Sequence, residues 1–363
     1  MSVNSAHKTV MIMAGGTGGH IFPGLAVAHA LSARGVQVVW LGSEGGMETR
    51  LVPEHGFAIE TLAIKGLRGK GFASLLKAPW TIASAVLKAK ALMTRYSPNA
   101  VVSFGGYTAG PGGIAAYMQG RALIVHEQNC APGLTNRLLA RIAKKVFTGF
   151  PNSFDSVPNT TVGNPVRPEI SAVTPPEQRM ASHVGIVRLL ILGGSQGARA
   201  INNLMPTVLA SIGAVQLFDI RHQCGEKMLA DTERAYQAAG IAANVEPFIH
   251  DMAQAYAWAD IVIGRAGALT VSEICAAGVA SILVPLPTAV DDHQAKNADF
   301  LKLHGGGVWF RQDAQLETNM RMTLLDLVKH PERMLMMAKA ARAAAFPDAA
   351  DDVAEYIQQE INA

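Results

Sequence analysis

The sequence predicts an α/β protein built on two parallel sheets, each wrapped by helices on both faces. Short apolar runs alternate with segments of helical period along most of the chain, the rhythm of βαβ units. Two of those runs, Thr9-Val10-Met11-Ile12-Met13 and Val187-Arg188-Leu189-Leu190-Ile191-Leu192, end in glycine-rich loops. The loops read Gly15-Gly16-Thr17-Gly18-Gly19-His20 and Gly193-Gly194-Ser195-Gln196-Gly197-Ala198. They stand about half a chain apart in 363 residues, a length that is long for one core and ordinary for two domains.

In the first half the strand-like runs are 8–14, 36–41, 57–62, 99–104, 122–126 and 145–148, with helices between them that include 19–34, about 80–95 and 132–142. A hinge is expected at Gly163-Asn164-Pro165-Val166-Arg167-Pro168, followed to about 185 by a stretch poor in apolar period that carries Pro175-Pro176. The second half repeats the alternation with strands near 187–192, 216–221, 244–248, 260–263 and 280–284. From about 331 to 362 the pattern is helical with no strand left to cover.

Composition is that of a globular protein, 49% hydrophobic and 16% charged. No apolar run approaches the roughly 20 residues of a spanning helix, and the N-terminus lacks the regions of a secretory signal. Cys130, Cys224 and Cys275 are scattered, without CxxC spacing, and are expected to be reduced thiols. The net charge of +3 hides an asymmetry. Residues 1–163 hold 15 Lys or Arg against 6 Asp or Glu, and no acid lies between Glu60 and Glu127. That half should prefer an anionic partner or surface.

A strand ending in glycines and opening a helix presents backbone N–H groups and the positive end of a helix dipole to an anion. The first loop misses the nicotinamide fingerprint because position 21 is Ile, and neither loop ends in the Gly-Lys-Ser/Thr of a P-loop. His20 either caps and packs or, on the first turn of a helix that disfavours imidazolium, serves as a proton acceptor. Ala266-Gly267-Ala268-Leu269-Thr270-Val271-Ser272-Glu273 follows the strand at 260–264. Thr270 and Ser272 can donate to phosphate and Glu273 can accept both hydroxyls of a ribose. The same spacing fits an ordinary capped helix with a surface glutamate. Asp291-Asp292-His293-Gln294 sits behind a strand end, where α/β proteins place ligand contacts, and lacks a companion cluster for a metal. In the acid-free segment Phe72, Leu75, Leu76, Trp80 and Leu87 lie among Lys65, Arg68, Lys70 and Lys77. Part of that stripe is core; the rest suits anionic lipid head groups, and no nucleic-acid-binding motif is present.

Taken in order, these motifs with Ser103-Phe104-Gly105-Gly106-Tyr107, His126-Glu127-Gln128-Asn129, Gly163-Asn164-Pro165-Val166-Arg167 and Asp292-His293-Gln294-Ala295-Lys296-Asn297-Ala298 resemble the MurG family of UDP-N-acetylglucosamine transferases over about residues 8 to 300. The resemblance implies a GT-B fold, two Rossmann-like doubly wound domains facing across a cleft. The domains would be 1–163, joined by a C-terminal helix at about 345–363, and 164–344. It implies inverting transfer of GlcNAc from UDP-GlcNAc to the C4 hydroxyl of MurNAc-pentapeptide in lipid I, giving lipid II, with no cofactor and no metal required. His20 is the candidate base. Donor contacts would come from Thr17, Gly18, Gly19, Asn129, Arg167, Ser195, Ile249 through its backbone, Ala268, Leu269, Thr270, Val271, Ser272, Glu273 and Gln294. Tyr107 would lie near the acceptor. Phe72, Leu75, Leu76, Trp80, Lys70 and Lys77 would meet the membrane. Partners would be UDP-GlcNAc, lipid I, the anionic cytoplasmic membrane surface and other cell-wall synthesis proteins. Location would be peripheral, on the cytoplasmic face of the bacterial inner membrane.

The nearer alternatives are a UDP-GlcNAc 2-epimerase or a lipid disaccharide synthase of the same fold. An epimerase has no use for an apolar, basic face. A nicotinamide oxidoreductase conflicts with the broken fingerprint. A non-catalytic membrane module leaves both glycine loops and His20 unexplained.

Overall fold

Strand and helix alternate because the central strands, such as Thr9–Ala14 and Ile261–Gly264, are apolar on both faces, and only a sheet covered on both sides can bury them. The computed structural model describes residues 8–64, 72–182, 185–194, 197–213 and 215–363. The chain divides into two compact units, one of residues up to Arg167 together with Pro347–Ala363, the other Pro168–Phe346. The breaks therefore fall a few residues beyond the expected 163/164 and 344/345.

In the first unit β1 (Thr9–Ala14), β2 (Gln37–Ser43), β3 (Ala58–Leu62), β4 (Ala100–Gly105), β5 (Ala122–Glu127), β6 (Lys145–Thr148) and β7 (Thr160–Thr161) form one parallel sheet in the order β3-β2-β1-β4-β5-β6-β7. Alternation along β1 feeds two cores. Val10, Ile12 and Ala14 pack with helix Gly18–Ala33, and Met11 and Met13 pack with helices Phe72–Tyr96 and Ala109–Met118. The final helix, Ala349–Asn362, buries Val353, Ala354, Ile357 and Ile361 in the first of these cores, beside Ile21 and Leu25. The helical tail is thus two helices, Pro331–Ala343 and Ala349–Asn362, separated at Pro347 where the chain returns to the first unit.

In the second unit β8 (Val187–Leu192), β9 (Phe218–Gln223), β10 (Asn244–Glu246), β11 (Ile261–Gly264), β12 (Ala280–Leu283) and β13 (Gly307–Trp309) give the parallel order β10-β9-β8-β11-β12-β13. In both sheets the order of strands reverses between the unit's first and fourth strands, β1 and β4 in one and β8 and β11 in the other. The crevice beyond the carboxyl ends of those two strands is where doubly wound sheets hold ligands. In the first unit the loops there are 15–17 and 106–108, and in the second the described residues 193–194 and 197–198, with 265–267.

Candidate active site

At the first switch point β1 runs through Gly15, Gly16 and Thr17 into helix Gly18–Ala33. Gly16 takes φ +90, open to glycine and strained for other residues. The N-cap Thr17 makes no side-chain cap, and its carbonyl accepts from His20 N and Ile21 N. The neighbouring loop comes so close that a Cβ on Gly106 would stand 2.5 Å from Gly15 O. Tyr107 projects beside Gly16, half exposed.

This loop does not offer all its N–H groups to an anion, as its glycines suggest. Gly16 N donates to Oε2 of Glu48 at 3.2 Å, and Oε1 of that buried carboxylate accepts from Ser43 N and Ser43 Oγ. A Cβ on Gly15, Gly42 or Gly46 would strike the Glu48 side chain, so those glycines make room for it. The second loop behaves alike: Gly193 N donates to Gln223 O and Gly194 N to Gln223 Oε1. The physical reason is common to both. A backbone N–H in a tight turn at a strand end is readily taken up by a carbonyl or side chain of the adjacent strand or helix.

His20 Nδ1 lies 3.0 Å from Gln128 Oε1, and Gln128 joins a buried polar group at the end of β5. Its Nε2 contacts His126 Nδ1 and His126 O, while His126 Nε2 faces Gly163 O at 2.9 Å. Burial lowers the His126 pKa to about 4, which leaves the ring neutral. Glu127, buried next to it, accepts from Asn129 N, Asn129 Nδ2, Gly133 N and Asn136 Nδ2. Asn129 is therefore held in place by its own neighbour. Arg167 is half-buried with its guanidinium 5.3 Å from the centre of the Phe22 ring.

In the second unit the loop Arg265-Ala266-Gly267 opens helix Ala268–Ala277, and no side chain caps its first turn. The N–H groups of that turn have no partner within the helix, as at any helix start, and are chemically able to face an anion. Its supports are specific. Asn297 Nδ2 donates to Ala266 O, and Arg265 reaches Val284 O, Pro285 O and Gln312 Oε1. At the far end Arg179 donates to Ala277 O and Gly278 O, and Arg342 to Ala276 O.

Glu273 is buried rather than a surface residue, and its Oε2 accepts from Tyr256 Oη at 3.1 Å. Ser272 Oγ donates back to Ala268 O, so its hydroxyl proton is committed to its own helix, unlike that expected for a phosphate ligand. Thr270 and Leu269 are half-buried, while Val271 and Ala268 are buried. Gln294 Oε1 accepts from Leu286 N, leaving its amide N–H groups as what it can offer a hydroxyl. Ile249 is buried just beyond β10. His293 Nδ1 donates to Val290 O. Ser195 and Lys70 lie outside the described residues, as do the side chains of Phe72, Leu75, Leu76 and Lys77. Among the described residues no three His, Cys, Asp or Glu side chains gather so as to hold a metal ion.

Residues 10–148 match the N-terminal domain of glycosyltransferase family 28, and residues 188–353 match its C-terminal domain. The chain belongs to glycosyltransferase family 28. Within the family it is 55% identical over 354 residues to a Xylella fastidiosa (strain M12) protein, covering 97% of this chain and 96% of that one. That relative is named UDP-N-acetylglucosamine–N-acetylmuramyl-(pentapeptide) pyrophosphoryl-undecaprenol N-acetylglucosamine transferase. A Xanthomonas campestris pv. campestris (strain B100) protein of the same name is 56% identical, with 97% of this chain and 82% of that one covered. Among solved structures, Acinetobacter baumannii MurG superposes with a TM-score of 0.83 at 40% identity, over 97% of this chain and 99% of that one. The two Rossmann-like units therefore make a GT-B fold of the family 28 kind, and the chain is a glycosyltransferase.

Glu48, Tyr256, Arg179 and the roles of Gln128, Arg265 and Asn297 escape the sequence reading. Each acts through a partner far along the chain, so spacing carried no signal. The exposed apolar residues Ile114, Tyr117, Met118, Leu134 and Leu138 escape it too. They belong to helices Ala109–Met118 and Leu134–Leu139, successive neighbours of the helix that exposes Trp80 and Leu87.

Proposed function

We propose that this chain transfers GlcNAc from UDP-GlcNAc to the C4 hydroxyl of MurNAc-pentapeptide in lipid I, giving lipid II with inversion at the anomeric carbon. The observation that carries it is 55% identity over nearly the full length to a relative named for that transfer. A shared fold alone would leave an epimerase equally open.

The second unit holds the donor. The amides of Ala268, Leu269 and Thr270, with the Thr270 hydroxyl and Ser195, cradle the diphosphate, while Val271 and Ser272, bonded back to Gly267 O and Ala268 O, hold that turn in shape. Glu273, set by Tyr256, accepts the ribose hydroxyls; the Ile249 backbone meets uracil; and Gln294 donates to the GlcNAc hydroxyls. Thr17, Gly18, Gly19, Asn129 and Arg167 supply the first unit's share, and Tyr107 lies near the acceptor. His20 takes the proton of the attacking hydroxyl as its oxygen bonds to C1 and the C1–O(phosphate) bond breaks. Negative charge then builds on the diphosphate, where fixed N–H dipoles answer it. One base and direct attack require inversion.

Membrane contact is peripheral, on the cytoplasmic face of the bacterial inner membrane. No described helix is long and apolar enough to cross a bilayer. Trp80 is 81% exposed on a helix with no acidic residue, in the half of the chain with the cationic surplus. That pairing of exposed aromatic and basic residues suits anionic head groups. Other cell-wall synthesis proteins are further partners.

The test is transfer of radiolabelled GlcNAc from UDP-GlcNAc to a short-chain lipid I analogue with EDTA present. Labelled lipid II analogue is the expected product. UDP-GlcNAc binding without product would move the acceptor to another lipid or to none. In parallel, K70E/K77E should weaken binding to anionic vesicles, and unchanged binding would remove that surface.

A further inference from the structure

The proton on His20 can be placed by following donors and acceptors inward from a group that can only accept. Gly163 O lies 2.9 Å from His126 Nε2, so that nitrogen carries the hydrogen. His126 is wholly buried, its ring stacked on Phe104 at 5.4 Å, and burial holds it neutral. Its Nδ1 is therefore a bare acceptor. Gln128 places one amide end 3.1 Å from that nitrogen and 2.9 Å from His126 O. Both are acceptors, so this end is the NH2 and the amide has only one satisfactory orientation. Its Oε1 then faces His20 Nδ1 at 3.0 Å, and His20 must donate.

We propose that Gln128 is a positioning residue that fixes His20 in the Nδ1–H tautomer, so that Nε2 is the atom that accepts the proton of the attacking hydroxyl. The assignment rests on the reading of His20 as the base. A neutral imidazole has one donor and one acceptor nitrogen, and which is which is set by its partner. Without Gln128 the ring would divide between two tautomers, one of which shows a hydrogen to the acceptor hydroxyl. On transfer, the hydroxyl proton passes to Nε2, the ring becomes imidazolium, and Gln128 Oε1 keeps its bond to Nδ1–H. The device differs from a carboxylate-backed histidine in one respect. The amide orients the ring without adding a counter-charge.

Gly105 makes space for this arrangement. It takes φ +100, and a Cβ there would stand 3.1 Å from His20 Cε1 and 3.2 Å from Nδ1. The β-bulge between β1 and β4, where Met13 pairs with Ser103 and Ala14 with Gly105, delivers that glycine to the ring.

The deciding experiment is a long-range 1H–15N spectrum of the full-length protein labelled at histidine, near neutral pH, with His20 assigned by its loss in His20→Ala. His20 should show a protonated Nδ1 and a bare Nε2, and His126 the reverse. In Gln128→Leu, His20 should shift toward the Nε2–H form. Its kcat should fall roughly tenfold to a hundredfold, below the roughly 10²–10⁴ that a general base contributes, with KM for UDP-GlcNAc within about twofold. A protonated Nε2 on His20 in the unaltered protein overturns the proposal, and so does an unchanged tautomer in Gln128→Leu. The wild-type spectrum decides even if that variant fails to fold. Full turnover by His20→Ala would instead remove His20 as the base, while the spectra still judge the part played by Gln128.

Discussion

Tyr256 Oη and Glu273 Oε2 share one hydrogen bond between two buried side chains, and that bond separates what Glu273 does for the fold from what it does for a ligand. Glu273→Gln keeps an oxygen for Tyr256 but loses the charge and one acceptor. Stability should hold, with Tm within about 2 °C. The KM for UDP-GlcNAc should rise roughly tenfold to a hundredfold, the worth of a hydrogen bond to a charged group at about 1.5–3 kcal/mol. A lower Tm with unchanged KM would make Glu273 structural. At this scale the sequence offers as candidates residues whose own side chains suit the proposed chemistry: His20, Glu273, Gln294. It hides those defined by a distant partner. Glu48 is 32 residues from the Gly16 amide it holds, and Gln128 is 108 from His20. Nothing in the neighbourhood of either residue announces the meeting.

Strands are the most legible elements where they are mostly apolar, as in β1, β2, β4, β8, β11 and β12; β9, which reads Phe218-Asp219-Ile220-Arg221-His222-Gln223, shows only an alternation. The edges are not legible. Thr160–Thr161 and Gly307–Trp309 are too short to show a period, and the sequence predicts no strand at either. The helix expected over 132–142 shrinks to Leu134–Leu139, because Arg141 N and Ile142 N turn to carbonyls three residues back and tighten its end. Helix Ala268–Ala277 was legible at its glycine start but not at its finish, where Arg179 crosses 98 residues of chain to reach Ala277 O. Guanidinium charge there complements the negative end of the helix dipole and satisfies carbonyls that the helix cannot. Arg179→Leu should cost about 2–4 kcal/mol, since two buried carbonyls lose their partner. Urea unfolding followed by fluorescence would measure it. A change under about 0.5 kcal/mol would mean that Arg342, which reaches Ala276 O, already suffices.

Across the whole molecule, each unit buries one histidine in a neutral state among its described residues. His126 lies in the first unit with its pKa lowered to about 4, and His222 in the second with its pKa lowered to about 3, in both cases by burial. Both rings are already fully bonded. His222 sits between Tyr236 Oη and Asn202 Oδ1, as His126 sits between Gln128 and Gly163. In the unfolded chain the same rings take up a proton below about pH 6.5, and the folded chain refuses it until far lower. Unfolding therefore gains protons as pH falls, so stability is full above about 6.5 and declines below it. At pH 5, about 1.5 pH units into that window, each ring costs about 2 kcal/mol. Ordinary carboxylates, with values near 4, enter only later. Urea midpoints should accordingly fall between pH 7 and pH 5 for both units. His222→Gln, which can still accept from Tyr236 and donate to Asn202, should flatten the decline of the second unit and leave that of the first. Midpoints that stay level from pH 7 to pH 5 would show that neither ring is held neutral by its burial, and with it would fall the neutral His126 on which the proton chain to His20 depends.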